Sequence, residues 1–280
     1  MNLKKYELII ILSVYKKDRL SWFKECIKSI KLKKNLNYCL LIYIDGNISN
    51  KINSYLKKII FKNKNIYLYR NKNNKGLYFA LNHLIKLLRK FKYSGYVARL
   101  DADDVVIKDR FKKQIDFLRK NKSIDVLGGN ALLIDESSKI IGKILKPQKH
   151  KYLFQRMPYS SPFIHPTVMF NKGVVLNKNV KYKNTVSRYE DFILWTELMR
   201  KNYKFHNLNQ YLIKYRLTQL TASRRVNFNK ILNEFKYKLR FLKYDKKFII
   251  PFFKFIIISI IKLLLPAKIL IKFRLIFHRI

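Results

Sequence analysis

The sequence predicts an α/β fold, a mostly parallel sheet with helices on both faces, followed by a basic amphipathic helical tail. Three observations predict it. Short β-prone apolar runs alternate with segments whose apolar residues recur at helical spacing. A group of acids stands where one buried run ends, and from about Val226 onward lysine is mixed with Phe, Ile and Leu.

Tyr6 to Tyr15 is a β-prone run, and Arg19 to Ile30 then brings Leu20, Phe23, Ile27 and Ile30 to one helical face. Tyr38 to Ile44 repeats the buried-strand signature and stops at Asp45-Gly46. Ile52 to Phe61 reads as a helix and Ile66 to Tyr69 as a third strand. Gly76 precedes a helix carrying Leu77, Leu81, Leu84, Ile85 and Leu88, and the strand Gly95 to Leu100 runs directly into Asp101-Ala102-Asp103-Asp104. In open parallel sheets ligands gather at the carboxyl ends of strands, because loops converge there without breaking the ladder; Ser13, Asp45, Arg70 and Asp101 all fall at that end. Phe111, Ile115 and Leu118 mark a further helix. Asp125 to Ile134 and Lys139 to Leu145, split by Asp135-Glu136-Ser137-Ser138, predict an antiparallel hairpin.

With 280 residues, nearly half of them apolar, the chain can bury one sizeable core with an appendage, not two full domains. No internal repeat and no Gly/Ser-rich or Pro-rich linker divides the first part, so residues 1–225 are expected as one domain and 226–280 as a tail. In the tail, Phe248 to Ile261 and Leu263 to Ile280 are the apolar stretches. Pro251, Lys254 and Lys262 interrupt them, short of the roughly 20 apolar residues that cross a bilayer. One reading lays this tail on an anionic membrane surface, each basic residue there contributing about 1 kcal/mol; the other makes it a core helix of the domain.

The formal charge of +44 admits nucleic acid, anionic lipid and phosphorylated substrates as partners, and does not choose among them. A nucleic-acid-binding module fits poorly, because the aromatics sit inside apolar periodic segments and no zinc finger or RNP sequence is present. Cys26 and Cys39 lack a C-x-x-C spacing, which suits a reducing, cytoplasmic compartment and a packing role. At the amino end Glu7 interrupts the apolar run and no small-residue cleavage site follows, so the first segment reads as a strand and not as a leader.

Arg99-Leu100-Asp101-Ala102-Asp103-Asp104 is the sharpest signal: three carboxylates in four positions where a buried strand surfaces. Such crowding is relieved by a hard divalent ion, Mn2+ or Mg2+, whose shell is completed by substrate phosphates. The competing reading is a solvated acidic turn before the next helix. Glu190-Asp191-Phe192-Ile193-Leu194-Trp195 opens a helix whose packed side takes Leu194, Trp195, Leu198 and Met199. Its two acids are accounted for by the helix dipole, and equally by a carboxylate acting as general base on an acceptor hydroxyl.

Taken in order, these landmarks resemble family 2 glycosyltransferases of the GT-A fold, a Rossmann-like sheet, particularly bacterial enzymes of surface-polysaccharide assembly. The resemblance is carried by Ser13-Val14-Tyr15, Ile44-Asp45-Gly46, Arg70-Asn71 through Gly76, Ala80-Leu81-Asn82, Arg99 to Asp104, His165-Pro166-Thr167-Val168-Met169-Phe170, Glu190 to Trp195 and Tyr215-Arg216, over about residues 6 to 225. It implies a nucleotide-sugar donor held by Ser13, Val14, Tyr15, Asp45, Arg70, Gly76, Asp101 and Ala102. Asp45 would accept the base imide hydrogen, from uracil by preference or from thymine, and Asp101 would lie on the ribose side. It further implies Asp103 with Asp101 as metal ligands, Asp191 as catalytic base, and Glu190, Trp195 and His165 on the acceptor or donor-sugar side. The acceptor implied is a glycan or lipid-linked precursor at the inner face of the membrane. Where many relatives carry a histidine after Tyr215-Arg216, this chain continues Leu217-Thr218-Gln219-Leu220-Thr221-Ala222-Ser223, so no third protein ligand is assigned; Arg216, Arg224 and Arg225 are alternative phosphate partners. A second enzymatic reading, metal-dependent nucleotidyl transfer, uses the same sheet, metal and nucleotide, and differs in releasing pyrophosphate.

Overall fold

The computed structural model describes residues 2–30, 36–184, 189–218, 232, 234–239 and 248–264. Its first half alternates as expected: β1 (Leu8–Tyr15), α1 (Leu20–Ser29), β2 (Tyr38–Asp45), α2 (Asn50–Lys62), β3 (Ile66–Asn71), α3 (Leu77–Lys90) and β4 (Tyr96–Arg99). All four strands are parallel. β1 pairs with β2 from Leu8↔Tyr38 to Tyr15↔Asp45, and Asp45 in turn lies opposite Asn71 of β3. β4 stops sooner, with Arg99 opposite Ile11, so the chain leaves the ladder four residues below the level of Tyr15 and delivers Asp101 to Asp104 into the space above.

β5 (Val105–Val106), α4 (Arg110–Lys120), β6 (Val126–Ile134), β7 (Ile140–Ile144), α5 (His150–Arg156), β8 (Met169–Phe170), α6 (Glu190–Arg200) and β9 (Phe205–Arg216) follow. The expected hairpin is β6–β7, closed where Asp135 Oδ1 accepts the amide hydrogens of Ser137 and Lys139, each at 2.9 Å. Two-residue β8 runs antiparallel to both β4 and β6 and so joins the halves of the sheet. β9 runs parallel along β6 and antiparallel to β5. Among the described residues one nine-stranded sheet results, in the order β3-β2-β1-β4-β8-β6-β9-β5, with β7 on β6.

Side chains alternate across a strand, so a stretch buried on both faces must be apolar throughout, as β1 is from Leu8 to Leu12. Ile9 and Ile11 pack toward α3 and α6, while Leu8, Ile10 and Leu12 pack toward α1, α2 and α4. Helices therefore cover both faces, and each presents the predicted stripe: Leu81, Leu84, Ile85 and Leu88 of α3, Phe111, Ile115 and Leu118 of α4.

Beyond the sheet, helical residues 234–239 and helix α7 (Ile249–Leu264) lie against the α6 side. Phe248 meets Phe154 of α5 edge-on at 5.2 Å, and Lys238 stands over the rings of Phe255 at 3.9 Å and Phe192 at 5.5 Å. No helix among the described residues is long and apolar enough to cross a membrane. The remainder of the apolar tail, including residues 265–280, lies outside the described residues, as do Arg224, Arg225 and the stretch 219–223.

Candidate active site

At the carboxyl end of β2 the chain must reverse over β3. Gly46 takes φ 84° and Gly76 φ 91°, values that L side chains rarely adopt. A Cβ on Gly46 would lie 2.8 Å from the backbone nitrogen of Asn74. The buried Asp45 fastens this corner: its Oδ1 accepts the Lys75 amide and its Oδ2 the Gly76 amide, both at 2.8 Å, while its carbonyl accepts from Asn74 Nδ2 at 3.1 Å. Arg70, level with Ile44, is exposed and reaches Asn53 Oδ1 at 2.7 Å. Ser13 and Tyr15 are half-buried at the end of β1, whereas Val14 is wholly buried and offers the rim only its backbone.

The acids leave β4, on the other side of β1 from this corner. Asp101, Asp103 and Asp104 each supply a carboxylate oxygen, and these oxygens lie within 4.8 Å of one another. Burial, and then the charge of Asp101, push Asp103 up to about 6; burial and both neighbours push Asp104 well above the usual carboxylate range. Asp18, in the loop after β1, joins them: it accepts the Tyr15 amide at 2.8 Å and is raised by burial and then by Asp103 and Asp101. Asp104 Oδ2 is buried without a hydrogen-bond partner. Crowded hard oxygen donors with an orphaned carboxylate oxygen fit a divalent cation of the Mn2+ or Mg2+ type, so the solvated-turn reading of this segment loses ground. Ala102 packs into the α1 and α4 side of the core and so contributes backbone alone.

Three buried arginines hold the acid loop from below. Arg99 grips Asp101 with both terminal nitrogens. Arg110 donates to the Arg99 carbonyl at 3.0 Å and to Gln114 at 3.1 Å; burial lowers it to about 9, which leaves it cationic at neutral pH. Arg216 corrects the expectation of a solvated or phosphate-facing arginine. It is buried at the end of β9, where it donates its amide to Asp104 Oδ1 and its Nε to the Asp103 carbonyl, each at 2.9 Å. Its terminal nitrogens reach the Asp135 carbonyl at 2.9 Å, Ser138 at 3.0 Å and Glu25 at 2.6 Å.

On the far side of Arg99, His165 and Tyr182 share a 2.9 Å hydrogen bond. Burial, then the Arg99 charge, hold His165 well below its ordinary range, and which of Nε2 and the phenol donates is set by the imidazole tautomer. Tyr182 is fixed through its backbone, which exchanges two hydrogen bonds with the Asn82 side chain at 2.7 and 2.9 Å. Burial raises its phenol, and the fields of Arg99, Asp191, Glu190 and Asp101 all reach it. Tyr182 thus feels the charges of both the acid loop and the first turn of α6, where Glu190 and Asp191 are half-buried at the positive end of the helix dipole. Trp195 lies on the packed side that its helical spacing gives and not on the acceptor side that the resemblance implies: it has no exposed surface and is ringed by Phe163, His165, Phe170 and Phe205, so it supports this floor from within the core.

Sequence reasoning missed Asp18, Arg110 and Tyr182. Asp18 was within reach, being an acid in a rim loop at a strand's carboxyl end. Arg110 and Tyr182 carry no local signal, because their partners lie 11 and 100 residues away along the chain.

Residues 9–178 match the family described as Glycosyl transferase family 2. The O-antigen biosynthesis glycosyltransferase WbnJ of Escherichia coli is 30% identical over 220 residues, which cover 78% of this chain and 82% of that one. The UDP-Gal:alpha-D-GlcNAc-diphosphoundecaprenol beta-1,3-galactosyltransferase of Escherichia coli is 26% identical over 234 residues, covering 84% and 82%. Among solved structures, the mannosyltransferase PcManGT from Pyrobaculum calidifontis, in complex with GDP-Man and Mn2+, superposes with a TM-score of 0.57 at 12% identity, covering 84% of this chain and 64% of that one. At that identity the likeness is one of fold, and the fold is the GT-A architecture expected from the sequence.

Proposed function

The chain belongs to glycosyl transferase family 2, and from that premise we propose that it moves a sugar from a nucleotide-diphosphate donor, a UDP-sugar by preference, to a hydroxyl of a glycan or lipid-linked precursor of a cell-surface polysaccharide, with inversion at the anomeric carbon. One observation carries the reading: Tyr182 lies within the electrostatic reach of both Asp101 of the acid loop and Glu190 and Asp191 of α6. The galactosyltransferase relative, whose name specifies UDP-Gal and a diphosphoundecaprenol acceptor, supports the donor and the lipid-linked acceptor.

In this reading the corner of Asp45, Gly76 and Arg70, with the backbone of Ser13, Val14 and Tyr15, takes the base and ribose. The carboxylate oxygens of Asp45 retain lone pairs beside the two amides they already accept, enough for an imide hydrogen. Asp101 and the Ala102 backbone border the ribose and diphosphate. Asp103 with Asp101, and Asp104 beside them, would hold Mn2+ or Mg2+, which supplies charge stabilisation to a departing diphosphate. Asp191 takes the acceptor proton as the hydroxyl oxygen bonds to the anomeric carbon, and the bond from that carbon to the donor phosphate oxygen breaks, releasing nucleoside diphosphate. Glu190 and His165 line the acceptor and donor-sugar side, with the Tyr182 hydroxyl hydrogen-bonded to His165 and orienting it. Residues 1–225 form the catalytic domain, and 226–280 hold it at the cytoplasmic face of the membrane.

A donor screen with and without Mn2+ or Mg2+ tests this proposal, with release of nucleoside diphosphate as the readout. Metal-dependent release from one donor, and a product anomer opposite in configuration to the donor's, is the expected result. Pyrophosphate release would replace the proposal with nucleotidyl transfer, and silence with every donor and acceptor lipid would overturn it.

A further inference from the structure

Two faces of α7 are apolar, and among the described residues only one of them meets protein. Phe252, Phe255 and Ser259 are buried, Phe252 against Phe235 and Phe255 beneath Lys238, while Phe248 just before the helix packs on Phe154 and Lys254 stands over Tyr159 of the domain. On the opposite side Ile250, Phe253, Ile257 and Ile260 are 81, 60, 58 and 50% exposed, at successive steps of three, four and three residues that make one stripe along the helix. Isolated exposed apolar residues are ordinary, but an aligned set of four large ones on a single helix marks a surface made to be covered.

Charge and length say by what. Residues 226–280 hold thirteen lysines and arginines against two acids, Glu234 and Asp245, and α7 itself carries none of the acids. A second copy of a chain with a net charge of +44 would bring like charge to the same surface, whereas an anionic lipid headgroup brings the opposite one. The 16 residues of α7 rise about 24 Å, less than the roughly 30 Å of a hydrocarbon core, so the helix suits the plane of the interface and not a crossing.

We infer that α7 docks flat on an anionic lipid surface through Ile250, Phe253, Ile257 and Ile260 while its other face stays fastened to the catalytic domain. The two readings of the tail, membrane surface and packed helix, are thereby both satisfied, one by each face. The docking also reaches the chemistry: Lys238 touches both Phe255 of α7 and Phe192, the residue after Asp191, so the helix bearing the proposed base is tied to the helix on the lipid. This deepens the membrane placement proposed above and rests on it, but not on the donor or acceptor chemistry.

The test uses the full chain and sedimentation with vesicles of phosphatidylcholine, with and without phosphatidylglycerol, in the absence of any sugar. The wild type should pellet with the anionic vesicles and not with pure phosphatidylcholine. Ile250→Asp combined with Phe253→Asp, both exposed and therefore tolerated by the fold, should lower partitioning at least about tenfold, because affinity scales with the apolar area inserted. Donor hydrolysis in solution should stay at the wild-type level, which separates failure of docking from failure of the glycosyltransferase reading. Absence of binding to anionic vesicles would overturn the inference. So would binding that the double variant leaves intact, which is adsorption by charge alone, and so would a vesicle-independent dimer that the double variant dissolves.

Discussion

Arg216 donates its backbone amide to Oδ1 of Asp104 at 2.9 Å, so the last residue of β9 is tied to the last acid of the loop that leaves β4, 112 residues earlier. The same residue's guanidinium joins that loop to the β6–β7 turn and to Glu25 of α1. Arg216→Lys keeps the charge and loses the fork. It should raise the Mn2+ concentration for half-maximal turnover about tenfold, since an ordered carboxylate set depends on the groups behind it, with little change in donor KM. A metal titration of nucleoside diphosphate release reads this directly.

Asp191→Asn removes the proposed base and preserves shape. The kcat should fall about 100- to 10,000-fold while donor KM and metal dependence stay near wild type. Steady-state kinetics against acceptor, with a thermal melt as a folding control, would reject the role if turnover were retained.

Asp103 gives a pH signature. Its carboxyl is raised from 3.8 to about 6 by burial and Asp101, so the native state favours the protonated form. The stability it contributes is complete below about pH 4 and is lost as pH rises through about 6, a loss on the order of 3 kcal/mol at most. In chelator, Asp103→Asn should therefore match the wild type near pH 4 and become the more stable of the two by pH 7. Adding Mn2+ at pH 7 should restore the wild type and not the variant. Urea unfolding at the two pH values measures both effects.

Gly46→Ala places a methyl group 2.8 Å from the Asn74 nitrogen at φ 84°. It should cost at least about 1 kcal/mol and raise donor KM while sparing kcat, because the strain falls on the corner held by Asp45. Isothermal titration with UDP would show the weakened site.

Trp195 has no exposed surface and its Nε1 is buried without a partner. Trp195→Ala should lose about 3–5 kcal/mol through the cavity it opens. Trp195→Phe should fold and leave acceptor KM unchanged, and a raised acceptor KM in that variant would restore the contact role.

The parallel half of the fold was legible because β1, β2 and β4 are buried on both faces and write uninterrupted apolar runs, and each helix between them has one apolar stripe. Their ends fall within about two residues of the expected ones, the usual scatter of frayed termini. β9 escaped because Asn207, Asn209, Gln210 and Lys214 break its alternation, as do the register shifts opposite Gly129 to Ala131. β8 is too short to carry any period. In the site the acids were visible as local crowding and the burial of Trp195 in its helical spacing, while Arg216 was misplaced because whether an amphipathic side chain turns inward depends on partners far away along the chain, which residue type does not record.

Asp45 is clasped at three points before any guest arrives. A corner already stitched together has little disorder left to surrender, so the entropic toll of ordering a loop is largely absent when a base enters it. Such a seat chooses by silhouette and not by closing around its occupant. Changing the nucleotide taken by this proposed seat would then require recutting the walls around Asp45, and loosening a hinge would gain nothing.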